Sequence, residues 1–174
     1  MGEQQKGEKP SRSLAEDTFP VVGIGASGGL DALKKLLENL PENTGSAFVI
    51  IQHLAAGQES MLPEILSIFT KMPVQKVDNG MKIEPNQVYV IPSGKTMTIE
   101  KGTLKLMPRG VSLKPIDKFL SSLSQEQKTR AIGIVLSGTG SDGTEGLQII
   151  KAEGGITFAQ DPNQPNTPTC PKTP

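Results

Sequence analysis

Residues 19–40, which read FPVVGIGASGGLDALKKLLENL, contain the pattern that decides the fold. The apolar, β-branched run Val21–Ala26 is typical of a buried strand. After a glycine-rich turn, leucines recur at spacings of three and four residues, which predicts an amphipathic helix. This order places Ser27 at the carboxyl end of a strand, the edge at which open α/β sheets bind ligands. The free N–H groups and positive dipole end of the following helix would suit an anion or a developing oxyanion.

The rest of the chain continues this alternation of strands and helices. Further strands are predicted at 46–53, 74–77, 87–91, 131–136 and 156–160, and further helices at 62–69, 116–123 and 147–150. Residues 96–107 alternate with a period of two around Lys101-Gly102, which predicts a β-hairpin. These patterns predict an α/β fold: a doubly wound, mainly parallel sheet with helices on both faces and an inserted antiparallel β-hairpin, a Rossmann-like three-layer sandwich.

The ends of the chain differ in composition from its middle. Residues 1–18 are polar and lack an apolar period, which predicts a disordered leader. Residues 162–174 are polar and rich in proline, which predicts a disordered tail. We therefore expect one domain, over residues 19–161.

Composition narrows the classes of function. Lys plus Arg and Asp plus Glu both number 18, so a zero net charge argues against a nucleic acid or an anionic membrane as partner. The single cysteine, Cys170, excludes an intramolecular disulfide and a cysteine-based metal cluster, and we expect no metal or cofactor. The chain lacks an apolar run of about 18 residues and an apolar signal core, so we expect a cytoplasmic protein.

Three polar residues follow predicted strands: Ser27, His53 and Asp142. The carboxyl ends of parallel strands meet at one edge of the sheet, so these three side chains can converge. An imidazole can take the proton of a serine hydroxyl, while a carboxylate orients the imidazole and stabilises the imidazolium. The three residues therefore predict a Ser-His-Asp triad, in a chain order different from that of α/β-hydrolases.

Each of these residues also has a simpler interpretation. Ser27 could cap its helix, His53 could be a structural residue at a strand end, and Asp142 in Gly-Ser-Asp-Gly could be a turn or cap residue. Their shared position at one predicted edge favours the triad over three separate structural roles.

The first glycine-rich loop offers a rival function. Gly23, Gly25 and Gly28 satisfy the G-x-G-x-x-G pattern of dinucleotide-binding loops. That pattern also requires an acidic residue at the end of the second strand, which here ends Gln52-His53. The missing acid argues against nucleotide binding.

Five segments together resemble the catalytic domain of CheB, the protein-glutamate methylesterase of bacterial chemotaxis. They are VGIGASGG at 22–29, IQH at 51–53, VYVIP at 88–92, PID at 115–117 and LSGTGSDG at 136–143. The likeness runs from about residue 19 to residue 161. The segments Ile91-Pro92 and Lys114-Pro115-Ile116-Asp117 most resemble those of CheB domains fused to CheR-type methyltransferases.

The resemblance implies a serine esterase that hydrolyses glutamate γ-methyl esters on receptor helices and can deamidate receptor glutamines. By position, Ser27 matches the nucleophile, His53 the general base and Asp142 the acid that orients it. Gly28 would offer an oxyanion-hole N–H, and Thr139 matches a methionine that lines the site in many relatives. The implied partners are methylated cytoplasmic receptor helices, together with a CheR-type methyltransferase or a histidine kinase.

Three departures from the family pattern motivate an alternative, an inactive CheB-like scaffold that binds signalling partners. The loop Ser27-Gly28-Gly29 is one residue shorter than usual, and a shift of about 1 Å in a reacting group can cost ~100-fold in rate. The proline-rich tail stands where the family has further elements, so we expect an incomplete domain with an uncovered sheet edge. We expect no receiver domain in residues 1–18, so the usual phosphorylation switch is not expected within this chain.

Overall fold

The structure is a computed structural model, and it describes residues 18–28, 30–53, 60–110, 113–136, 140–161 and 163. The leader and the tail predicted from the sequence lie almost entirely outside these residues, so both stay predictions. The described elements, in chain order, are β1 (Val21–Ala26), α1 (Asp31–Glu38), β2 (Ala47–Gln52), α2 (Leu62–Ser67), β3 (Val74–Lys76), β4 (Met81–Lys82), β5 (Gln87–Val90), β6 (Lys95–Glu100), β7 (Thr103–Pro108), α3 (Pro115–Gln127), a 3-10 turn (Lys128–Arg130), β8 (Ile132–Leu136), α4 (Thr144–Ala152) and β9 (Ile156–Ala159).

Within the described ranges, six strands form a central sheet in the order β3-β5-β2-β1-β8-β9. Every neighbouring pair in this sheet is parallel. β1 lies between β2 and β8, so the chain extends the sheet first to one side of β1 and later to the other. This arrangement confirms the predicted doubly wound, mainly parallel α/β fold.

The predicted hairpin is present, and it belongs to a larger unit. β6 and β7 pair antiparallel, and β4 pairs with β7 to make a three-stranded sheet among the described residues. The two-residue strand β4 is too short to show an alternating pattern, so the sequence did not predict it. β6 packs against α3, and this contact ties the small sheet to the rest of the domain.

The central sheet is covered on both faces. On one face, α1 and α2 bury Leu33, Leu37 and Leu66 against β1, β2 and β5. On the other face, α3 buries Phe119 and Leu120 against β1 and β2, and α4 buries Ile150 against β8 and β9. These two apolar layers explain why the central strands are nearly continuous runs of aliphatic residues.

Two glycines inside β1 let α3 lie unusually close to the sheet. A Cβ atom at Gly25 would lie 2.5 Å from Cγ2 of Ile116, and one at Gly23 would lie 2.8 Å from Cδ2 of Leu120. Both distances are shorter than carbon atoms can approach without displacement. Two of the three glycines of the G-x-G-x-x-G pattern, Gly23 and Gly25, therefore lie within a strand, where they leave room for a helix.

The last described strand, β9, lies at an edge of the sheet. Ile156 and Phe158 on this strand keep 53% and 58% of their surface exposed.

None of the helices in the described ranges has the length and apolar character needed to cross a membrane.

We expect Gly25→Ala to destabilise the protein by about 1–3 kcal/mol, because the added methyl group forces α3 away from β1. The measurement is the free energy of unfolding by urea titration. Gly110→Ala is the matched control, since a Cβ atom there meets nothing within 4 Å. An equal stability for both variants would show that the close approach of α3 does not depend on Gly25.

Candidate active site

Ser27 and His53 follow neighbouring parallel strands. In the register of β1 and β2, Ala26 lies opposite Gln52, and Ser27 and His53 are the next residues of the two strands. Neighbouring strands lie roughly 4.7–4.9 Å apart, so the two residues lie close together at the carboxyl edge of the sheet. The structure thus has Ser27 and His53 at the shared edge that the sequence predicts.

The His53 imidazole contacts the Asp142 carboxylate directly. Nε2 of His53 lies 2.7 Å from Oδ2 of Asp142, although the two residues are 89 positions apart in the chain. The histidine side chain is 28% exposed and the aspartate side chain 7% exposed. One partner of this pair is therefore open to solvent, and the other lies under the surface.

The buried Asp142 carboxylate is held at the amino end of α3. Its Oδ2 atom accepts the Ile116 N–H at 3.0 Å, and its Oδ1 atom accepts the Asp117 N–H at 2.8 Å. Pro115 occupies the first position of this helix and has no N–H, so the next two residues supply the free donors. The positive end of the helix dipole adds to the stabilisation of this anion. These contacts explain how Asp142 stays under the surface facing His53.

Asp117 returns the same kind of contact to the next helix. Its Oδ1 atom accepts the Gly143 N–H at 3.0 Å and the Gly146 N–H at 2.7 Å, both at the start of α4. Gly143 has φ of 100°, a left-handed conformation that favours glycine. Asp142 thus caps α3, the helix that contains Asp117, and Asp117 caps α4, the helix that begins just after Asp142. This reciprocal capping holds Asp142 and Gly143 against the start of α3.

Arg109 contacts the other nitrogen of the His53 ring. Its Nη2 atom lies 3.2 Å from Nδ1 of His53. A guanidinium has only N–H donors, so Nδ1 must accept this hydrogen bond. The proton of the neutral imidazole then sits on Nε2, which donates to Asp142.

Of the remaining predicted site residues, Ser27 and Gly28 are described by the structure and Thr139 is not. Helix α1 begins at Asp31 with Leu30 as its N-cap residue and no side-chain cap, so Ser27 does not cap it. Ser27 and Gly28 are partly exposed between β1 and this helix. The Ser27 hydroxyl makes no hydrogen bond to another described residue, His53 included. Thr139 lies outside the described residues, so its predicted place beside the site stays a prediction.

Asp117 and Arg109 are the site residues that the sequence alone left without a role. Asp117 is the third residue of α3, a position typical of capping acids, but its partners lie 26 and 29 residues away. Arg109 follows β7 in a segment without periodicity, and its contact with His53 spans 56 residues. No local pattern indicates either contact, because both depend on how distant elements pack.

The chain has clear similarity to proteins of known family. A family model described as CheB methylesterase matches residues 22–173. The chain is 27% identical over 167 residues to a protein-glutamate methylesterase/protein-glutamine glutaminase of Treponema denticola, a match that covers 91% of this chain and 45% of that protein. It is 32% identical over 156 residues to protein-glutamate methylesterase/protein-glutamine glutaminase 3 of Pseudomonas syringae pv. syringae, covering 87% of this chain and 40% of the relative. The chain therefore spans less than half the length of these curated relatives.

A solved structure shares the fold. The crystal structure of the Thermotoga maritima CheB methylesterase catalytic domain matches with a TM-score of 0.74 and 26% sequence identity. The match covers 84% of this chain and 82% of that chain.

The reciprocal capping generates a stability prediction. We expect Asp117→Ala to lower the free energy of unfolding by about 2–4 kcal/mol, because two buried N–H groups at the start of α4 lose a charged acceptor. Asp117→Asn keeps an acceptor oxygen, so it should lose less than half as much. The measurement is urea unfolding of both variants.

Glu145→Gln is the matched control for Asp117. Glu145 is also an acidic residue in the first turn of α4, but its side chain is 67% exposed and its ion pair with Lys114 Nζ is long, at 3.9 Å. Such an exposed pair is weak, so Glu145→Gln should lower the free energy of unfolding by no more than about 1 kcal/mol. If Asp117→Asn were as damaging as Asp117→Ala, the negative charge and not the acceptor atom would be what stabilises α4.

Proposed function

Because the chain belongs to the CheB methylesterase family, we propose that it hydrolyses γ-methyl esters of glutamate side chains in proteins. Ser27 is the nucleophile in this proposal, His53 the general base and Asp142 the acid that orients His53. The observation that carries the proposal is the 2.7 Å contact of His53 with the buried Asp142, at the same sheet edge as Ser27. The relatives are named as methylesterases of protein glutamate and glutaminases of protein glutamine, and these names support a glutamyl side chain as the substrate.

The proposed reaction begins with attack of the Ser27 hydroxyl on the ester carbonyl carbon. His53 accepts the serine proton at Nδ1, since Nε2 is held by Asp142. The carbonyl oxygen becomes an oxyanion, and the N–H of Gly28, which follows the nucleophile Ser27, donates to it. The tetrahedral intermediate collapses when the C–O bond to the methoxy group breaks, and His53 returns the proton so that methanol leaves.

Water completes the cycle by hydrolysing the glutamyl-enzyme. His53 takes a proton from the water, the hydroxide attacks the acyl carbon, and Ser27 leaves as the alcohol with that proton. The product is a glutamate carboxylate. With a glutamine substrate, the same steps release ammonia in place of methanol, which is the glutaminase reaction in the names of the relatives.

Asp142 contributes to this reaction through its charge and its fixed position. The imidazolium that forms on proton transfer is stabilised by a carboxylate that is already held by two backbone N–H groups. These donors keep the carboxylate oriented toward Nε2, so little reorganisation is needed when the charge on His53 appears. The Ser27 hydroxyl turns toward Nδ1 when substrate binds, since catalytic hydrogen bonds often form fully only in the substrate complex.

The substrates and partners follow from the same proposal. The esterified side chains would belong to cytoplasmic helices of chemoreceptors, and a CheR-type methyltransferase is the class of enzyme that would supply the ester. Such substrates would place the protein in the cytoplasm.

We expect wild-type protein to release methanol from a methylated chemoreceptor fragment, and Ser27→Ala and His53→Ala to lose at least about a thousandfold in rate. The measurement is methanol formed over time, with circular dichroism to verify that each variant folds. Ser67→Ala is the matched control, since it changes an exposed serine of α2 and should leave the rate unchanged.

Two outcomes would contradict the proposal. Methanol release that survives Ser27→Ala would exclude Ser27 as the nucleophile. No release from folded wild-type protein would exclude the esterase and leave a binding scaffold as the function of the domain.

A further inference from the structure

Arg109 contacts Nδ1 of His53, the ring nitrogen that must accept the Ser27 proton in the proposed reaction. Asp142 holds Nε2 of His53 at 2.7 Å, and the Arg109 guanidinium lies 3.2 Å from Nδ1. The lone pair on Nδ1 therefore accepts a hydrogen bond from a guanidinium, a group that has only N–H donors. While that bond exists, the same lone pair cannot accept the proton of Ser27.

Electrostatics acts in the same direction. Proton transfer from Ser27 would place a positive charge on the imidazole, next to the positive guanidinium. Two like charges at this separation repel each other even when solvent screens them in part. In this structure the proposed base nitrogen is therefore covered by the Arg109 guanidinium.

The backbone of Arg109 is fixed, but its side chain is long. Arg109 follows β7, and its N–H donates to the Gly94 carbonyl at 3.0 Å, which holds the end of this strand beside the turn that precedes β6. The Arg109 residue is only partly buried. Several rotatable bonds separate this anchored backbone from the guanidinium, so the charged group can move while the strand stays in place.

We propose that Arg109 is a specificity-determining residue that releases His53 to substrates carrying a carboxylate next to the ester. This inference rests on the proposed esterase function and names the chemistry of the preferred substrate. A carboxylate accepts two parallel hydrogen bonds from a guanidinium and carries the opposite charge, so it is a stronger partner than a neutral imidazole nitrogen. An acidic protein segment would draw Arg109 away from Nδ1 and free the base, whereas a neutral ester would leave the base covered.

The first test observes the His53 ring directly. His53 is the single histidine of the chain, so protein labelled with ¹⁵N-histidine gives one pair of ring nitrogen signals. We expect the Nδ1 signal to show a hydrogen-bonded acceptor in wild type and to shift in Arg109→Gln. An alanine-based helical peptide with several glutamates should shift the wild-type signal toward that of the variant, and the same peptide with glutamines should not.

This spectroscopic test does not depend on ester hydrolysis. An Nδ1 signal that is unchanged by Arg109→Gln, or that ignores the glutamate peptide, would overturn the inference. Arg130→Gln is the matched control for the loss of one positive charge. Arg130 is exposed and precedes β8, so it lies at the opposite edge of the sheet from His53.

The second test compares two esters. With p-nitrophenyl acetate, which is neutral, we expect Arg109→Gln to react faster than wild type because its base nitrogen is uncovered. With a glutamyl methyl ester peptide flanked by glutamates, we expect kcat/KM of the variant to fall by about tenfold, the effect of one lost charge-assisted contact. Arg109→Lys, which offers one donor direction in place of a planar fork, should lie between wild type and Arg109→Gln on the peptide.

The outcomes separate this inference from the proposed function. If both esters are hydrolysed through Ser27 and Arg109→Gln slows both equally, the inference fails and the esterase stands. If wild type hydrolyses neither ester, the esterase fails, and the ring nitrogen signals alone decide whether a carboxylate moves Arg109 from Nδ1.

Discussion

The Asp142 carboxylate at the amino end of α3 is the interaction on which the site depends. Its two oxygens accept the N–H groups of Ile116 and Asp117, and one of them also faces Nε2 of His53. An anion with so little exposure is stable only when such donors replace water. These donors connect the start of α3, the loop after β8 and the end of β2, three segments that are far apart in the chain. Asp117 completes the connection by accepting two N–H groups at the start of α4.

That interaction requires α3 to lie close to the central strand of the sheet, and glycines in β1 make this approach possible. At Gly25 any side chain would collide with Ile116, the residue whose N–H binds Asp142. A small displacement of α3 would therefore move the donors of the carboxylate as well as the apolar layer beneath them. Packing and polar chemistry are coupled here, because one residue of α3 takes part in both.

The inserted antiparallel sheet gives the site its second charged group. By packing against α3, β6 brings the neighbouring strand β7 to the edge where the parallel strands end, and Arg109 follows β7. His53 thus lies between an anion on one ring nitrogen and a cation on the other. The parallel sheet and its helices supply the nucleophile, the base and the acid of the proposed triad, while the insertion carries Arg109, which contacts the proposed base. This division agrees with the general tendency of α/β folds to keep a common sheet and to vary function through the segments at its edge.

The amino-acid sequence by itself determined the α/β class, the order of the strands and helices apart from the short strand β4, and the shared edge on which Ser27 and His53 lie. These features follow from local periodicity and from the geometry of parallel strands, both of which are present in short segments. Only the tertiary structure decided that Asp142 caps α3, that Asp117 caps α4, and that Arg109 contacts His53. These contacts join residues 25 to 56 positions apart, and they depend on the distance between packed elements and on side-chain direction. The same limit applies to Gly23 and Gly25 of β1: the sequence argued against a nucleotide loop but did not indicate that these glycines leave space for α3. Local patterns specify which element forms, whereas the space left between elements specifies which side chains meet.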